Sequence, residues 1–326
     1  HTFFANREFI KHRSKFTLNS ELHNQIFHTE NKKIEDNTYH TGGNYRIFPI
    51  LGAGITTPFK LKNNFYDLTY APSLNLVLAP GKSNTNKLSN EDSSNNSFSL
   101  TNFSSLNRYS GTDKLDNSKR LNYLINIYNK RIKLNLSQSY EFTNNSNFHY
   151  GHGNNVKLSD LLGSIEYNNR ISTNYIFRYD FNDDFMKQQN IDLSTGLVIG
   201  SLSMSYLDQK SKINNVIQSD TETLNYKFNS KKFLKYSNVN LSGLYDLKKE
   251  INVEYRLGYS YFDECFGINI DFNRKSYKED NLKPQDILTL MFSFKNIGSY
   301  KSTNLAVSEN DKQDIRWESS SVRFCW

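Results

Sequence analysis

Residues Ile251 to Tyr261 read Ile-Asn-Val-Glu-Tyr-Arg-Leu-Gly-Tyr-Ser-Tyr. Every odd position is aliphatic or aromatic, and every even position is polar or glycine. Successive side chains of a β-strand point to opposite faces. This segment therefore builds a strand with one greasy face and one face carrying Asn252, Glu254 and Arg256. The pattern recurs along most of the chain. A transmembrane β-barrel requires it, with lipid against one face and water or polar protein against the other. A tyrosine-rich soluble sandwich also alternates and is the competing reading at this stage.

Composition agrees with a membrane barrel. The 326-residue chain carries a net charge of +7, and its mean hydropathy is −0.69. No run of about 18 apolar residues could form a membrane-spanning helix. Barrel strands need only ~9–11 residues, half of which face a polar lumen. Aromatics make up 14% of the chain, which is heavy for so hydrophilic a sequence and suits aromatic girdles at two interfaces. Lys and Arg are scattered through turns and polar faces, as at Lys130-Arg131 and Lys248-Lys249. A nucleic-acid binder concentrates its charge on one surface, so no nucleic-acid partner is expected.

The alternation predicts about fourteen antiparallel strands forming a partial barrel: 14–28, 38–51, 65–79, 119–129, 131–142, 156–169, 171–182, 190–199, 201–210, 221–230, 235–247, 249–262, 264–277 and 285–297. Tight polar turns are expected at Asn129-Lys130, Asn168-Asn169, Gly200-Ser201 and Lys248-Lys249, because Asn and Gly tolerate the positive φ of hairpin turns. Longer polar loops are expected at 143–155, 182–189 and 210–220. Proposed lipid-facing sets include Leu121, Tyr123, Ile125 and Ile127, and Val239, Leu241, Gly243 and Tyr245. Asn122, Arg178, Glu254, Arg256 and Asp271 are expected to face the lumen. The chain opens on His1 without a basic, apolar leader, and is read as a processed or truncated piece.

Residues 80–118 break the alternation. A structureless stretch near 40 residues is uncommon and is either functional or disordered. This one holds Asp92, Arg108 and Asp113 amid aromatics and glycine. It is expected to fold into the lumen as a plug, with Arg108 paired to an acidic lumen residue.

Signs of catalysis are sparse. His149 and His152, with Asp183 and Asp184, are the residues a barrel hydrolase would use, but they fall in separate loops. No Gly-x-Ser-x-Gly, phosphate loop or His-Glu-x-x-His occurs. No catalytic residue, metal or cofactor is expected. The two cysteines, Cys265 and Cys325, form neither a disulfide framework nor a zinc site.

The informative motifs lie in order along the chain: Arg46-Ile-Phe-Pro49, Tyr70-Ala-Pro72, Asn90-Glu91-Asp92-Ser93, then Asn107-Arg108-Tyr109-Ser110-Gly111-Thr112-Asp113, and Arg120-Leu-Asn-Tyr123. Asp263-Glu-Cys-Phe-Gly267 and Lys283-Pro-Gln-Asp286 follow. Together they resemble the C-terminal barrel of the LPS-assembly outer-membrane proteins, the LptD or organic-solvent-tolerance family, with an alphaproteobacterial flavour, over roughly residues 40–298. The resemblance implies a lateral-gating translocon in the outer membrane. Such a translocon receives lipopolysaccharide from the periplasmic bridge protein LptA and inserts it into the outer leaflet, often around the lipoprotein plug LptE. It further implies that Cys265 bonds to a cysteine of an N-terminal jellyroll, which is not expected within these residues. The chain departs from the family's barrel of about 26 strands. Its residues 299–326 look unlike family members, although Val322, Phe324 and Trp326 alternate like a barrel-assembly signal. A general porin, or a barrel hydrolase, remains the alternative.

Overall fold

In the computed structural model every residue is described except 36–37, 64–66, 81–83, 85–86, 89, 94–97, 144–156, 214–215, 233–235, 277–284, 296, 303–304, 307–316 and 321–326. The described residues form β-strands and turns, without a helix. The strands are β1 (Thr2–Lys11), β2 (Ser14–Glu35), β3 (Thr38–Thr56), β4 (Phe59–Lys62), β5 (Asp67–Leu78), β6 (Lys119–Tyr128), β7 (Ile132–Glu141), β8 (Leu161–Asn168), β9 (Ile171–Asp180) and β10 (Phe185–Gly196). They continue with β11 (Gly200–Ile213), β12 (Val216–Ser230), β13 (Ser237–Asp246), β14 (Ile251–Phe262), β15 (Phe266–Lys275), β16 (Gln285–Phe294), β17 (Gly298–Ser302), β18 (Leu305–Ala306) and β19 (Trp317–Ser320). The pairings β1–β2, β2–β3, β3–β5, β5–β6, β6–β7 and β7–β8 are all antiparallel. So are those from β12 through β16.

Several expectations need correction. Among the described residues nineteen strands stand where about fourteen were expected. β1 and β17–β19 are additional, and β4 is a short strand on its own. The long loops expected at 182–189 and 210–220 shrink, because β10 begins at Phe185 and β11 runs to Ile213. Polar residues there continue the ladder, since backbone pairing is indifferent to side-chain polarity on a wet face. The turn expected at Gly200-Ser201 sits at Leu197–Ile199, and Gly200 opens β11. At Gly200 a Cβ would lie 2.2 Å from the Asn229 carbonyl oxygen, so close backbone approach, not turning, explains this glycine.

Other turns follow local chemistry. Asn129 Oδ1 accepts hydrogen bonds from the amides of Arg131 (2.8 Å) and Ile132 (2.7 Å). The β1–β2 hairpin turns at His12 and Arg13, with φ of 50° and 67°. Two successive positive φ values match the twist of the flanking strands.

The strands belong to two compact units. One comprises residues 1–167, 175–188 and 210–219; the other comprises 168–174, 189–209 and 220–326. In the second, register aligns the alternation across four strands. Val239 stands opposite Tyr259, Tyr259 opposite Ile270, and Ile270 opposite Leu290. Leu241, Leu257, Phe272 and Leu288 make the adjacent row. A bulge at Leu244/Tyr245 ends this agreement and puts Tyr245 opposite Asn252. Gly243 lies opposite Tyr226, whose ring occupies the space a Cβ would need.

The first unit is inside-out by the standards of soluble proteins. Along β3, Tyr45, Ile47 and Leu51 are exposed, while Arg46, Phe48 and Ile50 are buried. Arg120, Asn122, Ser139 and Glu141 are almost fully buried, while Leu74 and Leu78 stand open. A contiguous apolar face left open marks contact with another apolar phase.

Candidate functional site: a loop held on the polar face

The buried face of the first unit is covered by the chain itself. No described residue of 79–118 joins a strand. The segment closes on itself through a reciprocal clasp. Asp92 accepts hydrogen bonds from the Thr112 amide (3.0 Å), the Thr112 hydroxyl (2.8 Å) and the Asp113 amide (2.9 Å). Asp113 Oδ2 in turn accepts from the amides of Glu91 (2.7 Å) and Asp92 (3.1 Å). Asn90 and Ser93 bond each other, and Ser93 Oγ accepts from the Lys114 amide at 3.0 Å. Gly111 has φ of +80°, and a Cβ there would lie 2.4 Å from the Asp92 carbonyl oxygen. Only glycine fits both demands. Ser110 sits half-buried beside it. The Asn-Glu-Asp-Ser and Arg-Tyr-Ser-Gly-Thr-Asp motifs are thus two halves of one loop fold.

Partial desolvation opposes the charge on Asp92. The donors from Asp113, Thr112 and Ser93 outweigh it and hold the carboxyl well below its ordinary range.

Two anchors tie the clasp to the strands. Arg46 on β3 donates to the carbonyls of Asp113 (2.7 Å) and Thr112 (3.3 Å), to Asn84 Oδ1 (3.0 Å) and to Gln25. Gln25 on β2 donates to the Thr112 carbonyl at 2.8 Å. The deeper anchor is a buried ion cluster. Arg108 lies 2.5 Å from Asp116 within the segment and 2.5 Å from Glu141 on β7. Arg120 on β6 meets Asp116 at 3.0 Å and also donates to the Ser105 and Leu106 carbonyls. Ser118 donates to both oxygens of Glu141. All four charged side chains are at most 1% exposed. Burial works against the Arg108 charge, but Asp116 and Glu141 more than compensate and raise its pKa. Two cations face two carboxylates, so the cluster is neutral as a whole, as burial demands.

Asn107 Oδ1 accepts from the Asp116 amide at 3.0 Å, fixing the return of the chain. Asn122 on β6 donates to the Phe103 carbonyl (3.1 Å) and accepts from Ser139 (2.7 Å). Apolar contacts complete the seat. Leu106 and Leu115 pack with Phe48, Ile50, Val77 and Ala79. Phe98 and Phe103 pack with Leu162, flanked by Leu100 and Leu124. Gly52 leaves room for Leu106, whose methyl would lie 2.6 Å from a Cβ.

Of the residues expected at a plug, Asn90, Glu91, Asp92, Ser93 and Asp113 form the clasp with Gly111, while Asn107 and Arg108 reach deeper. Among those expected to face a lumen, Asn122 is buried and ties β6 to the Phe103 carbonyl of the loop. Arg178, on β9, lies 3.6 Å from Asp160 and donates to the Phe98 carbonyl at 3.4 Å. Lys187 completes that second buried group, at 3.0 Å from Asp160 and 2.5 Å from Asp180. In the other unit, Arg256 pairs with Asp271 at 3.1 Å across β14 and β15, and Glu254 stands opposite Lys275. Sequence reasoning missed Asp116, Glu141, Asp160, Asp180 and Lys187. Charges on or at the ends of alternating strands were the available signal.

Cys265 is exposed and unbonded in the β14–β15 turn. Asp263 accepts from the amides of Cys265 (2.9 Å) and Phe266 (2.8 Å), which lowers its pKa. Asp183 and Asp184 lie in the β9–β10 turn, where Asp184 has φ of 50° and accepts from Tyr179. His149, His152, Lys283 and Cys325 lie outside the described residues.

Antiparallel strands with an open apolar face, and a charged face sealed by the chain's own loop, define an outer-membrane β-barrel protein. A profile of the family LptD, LPS transport system D, matches residues 5–251. The chain belongs to the LptD family, a family of transport proteins of the outer membrane rather than of enzymes. No curated protein sequence matches it significantly. Among solved structures, a mutant of Rh. blastica porin is 8% identical at a TM-score of 0.33, covering 93% of this chain and 94% of that one. A triple mutant of Rhodopseudomonas blastica porin is 8% identical at 0.32, covering 93% and 92%. No functional argument rests on these likenesses.

Proposed function

We propose that this chain passes lipopolysaccharide into the outer leaflet through a laterally gated barrel, with residues 79–118 as a displaceable plug. Family membership supports the cargo, and the neutral ion cluster of Arg108, Asp116, Arg120 and Glu141 is the observation that carries the plug. A decorative exterior loop has no need to bury four charges against the polar face of the strands. A wide lumen must stay shut between transport events. A plug held by matched charges and hydrogen bonds can exchange them for the phosphates and sugars of the cargo. In this reading LptA delivers the lipid, LptE is a further lumenal partner, and Cys265 bonds to a preceding jellyroll domain and sets its orientation.

Deleting residues 90–112 tests the plug. Sensitivity to large antibiotics should rise while the barrel still assembles. Normal assembly with unchanged permeability would reduce the segment to an ornament of the surface.

A further inference from the structure

The exposed face of the first unit is not smooth. Between β1, β2, β3 and β5 it is hollowed by a groove of about 490 Å³. Its walls are Leu18, Leu51, Leu76 and Leu78, and small residues, Ala5, Ser20 and Ala53, make its floor. Register places all of these on one face. Ala5 stands opposite Ser20, Ser20 opposite Leu51, and Leu51 opposite Leu78; one row over, Arg7, Leu18, Ala53 and Leu76 align. Leu18, Leu51 and Leu78 are between 42% and 55% exposed, so this is an open apolar face and not the sealed polar one.

Arg7 lies at the rim of this groove, exposed, and has no ion-pair partner among the described residues. The nearby acid, Glu8, points to the other face and is taken by Lys15 at 2.8 Å. An arginine on a lipid-facing surface costs ~2–4 kcal/mol at mid-bilayer and little near the interface. Arg7 precedes the end of β1 by four residues, roughly 14 Å along the strand, on the side of the two-residue turn. The stacked pair Phe9–Phe16 (centroids 5.1 Å apart) lies between Arg7 and that turn, as an interfacial girdle does. The groove extends from Arg7 away from the turn, toward the middle of the membrane. The β1–β2 turn lies at the end of the strands opposite residues 79–118, and segments that long mark the exterior of such barrels, which puts this turn on the periplasmic side.

We infer that this groove binds an anionic glycerophospholipid of the periplasmic leaflet, its phosphate on Arg7 and one acyl chain along Leu18, Leu51, Leu76 and Leu78. Charge complementarity selects an anionic headgroup, because guanidinium binds phosphate in a bidentate fork and this one has no internal acid. Depth selects the leaflet. The inference rests on the membrane setting of the family and is independent of the plug, so an export assay in the same variants keeps the two readings separable.

The test uses the whole chain, reconstituted in phosphatidylcholine bilayers, with assembly verified by heat-modifiable migration. The fraction of immobilised lipid is read by electron spin resonance from spin-labelled phosphatidylglycerol and spin-labelled phosphatidylethanolamine. Phosphatidylglycerol should be preferred roughly fivefold, the factor expected for one basic residue near a lipid surface. R7Q should abolish the preference, and A53L should reduce immobilisation of both labels by filling the floor. K15Q, a change of equal charge on the opposite face, should leave both unchanged. Equal immobilisation of the two lipids in the parent protein, or an R7Q variant that keeps the preference, would overturn the assignment. So would displacement of phosphatidylglycerol by equimolar lipopolysaccharide, which would make the cargo itself the occupant.

Discussion

Substituting Arg108 by methionine probes the seat of the loop most directly. The change keeps an unbranched stem and removes the guanidinium. Asp116 and Glu141 remain buried, at 0% and 1% exposure, with Arg120 as the one cation left in contact with Asp116 at 3.0 Å. Removing one partner of a buried pair typically costs about 3–5 kcal/mol, because an uncompensated charge stays behind. At 1.4 kcal/mol per factor of ten, the ratio of seated to unseated loop should fall roughly a hundredfold to a few thousandfold. The cost should appear as loop release, since the ladders of β6 and β7 do not depend on Arg108. Hydrogen exchange at the Thr112 and Asp113 amides, which bond to Asp92, reports the clasp, and exchange at the Asp116 amide reports the seat. The double variant R108M/E141Q separates charge from shape. It restores neutrality, with Arg120 facing Asp116, and should recover most of the loss. If R108M exchanges like the parent protein, or the double variant is worse than the single, the buried-charge argument is wrong.

Three further outcomes follow from the same geometry. Gly111→Ala forces a Cβ into φ of +80° and against the Asp92 carbonyl; a left-handed conformation alone costs roughly 1–2 kcal/mol, so protease nicking within 90–113 should speed up while assembly persists. Because the Asp92 carboxyl is depressed below its ordinary value, its contribution to the clasp is fully present above pH ~4. That contribution is lost progressively as pH falls from there through the folded value; clasp exchange, corrected for intrinsic rates, should therefore be flat from neutrality to about pH 4 and quicken below it, and in Asp92→Ala it should be faster throughout. Cys265→Ser in the full-length protein should change mobility on non-reducing gels, as a thiol in an oxidising compartment finds a partner; identical mobility would remove the interdomain bond from the proposal.

Alternation in the amino-acid sequence determined which residues form strands and which face each takes. Side-chain direction has a period of two regardless of what the strand later pairs with. Thus Leu241 and Leu257 could be assigned to an apolar face before any register was known, and β6 to β9 begin and end near where the pattern does. Strands whose two faces are both polar were less legible. The ends of β10, β11 and β12 carry Lys, Asp, Gln and Ser on both faces, and only the neighbouring ladder holds them extended. The turn expected at Gly200-Ser201 was misplaced for a related reason, since glycine serves close packing as readily as turning. The loop over 79–118 shows the limit most clearly. Its odd composition is visible in one dimension, and Arg108 stands out there. The partners that give it meaning, Asp116 eight residues on and Glu141 on β7, are selected by how β5, β6 and β7 bring their polar face under the loop. Burial then makes a neutral set of charges obligatory, and no local pattern encodes which four side chains will share it.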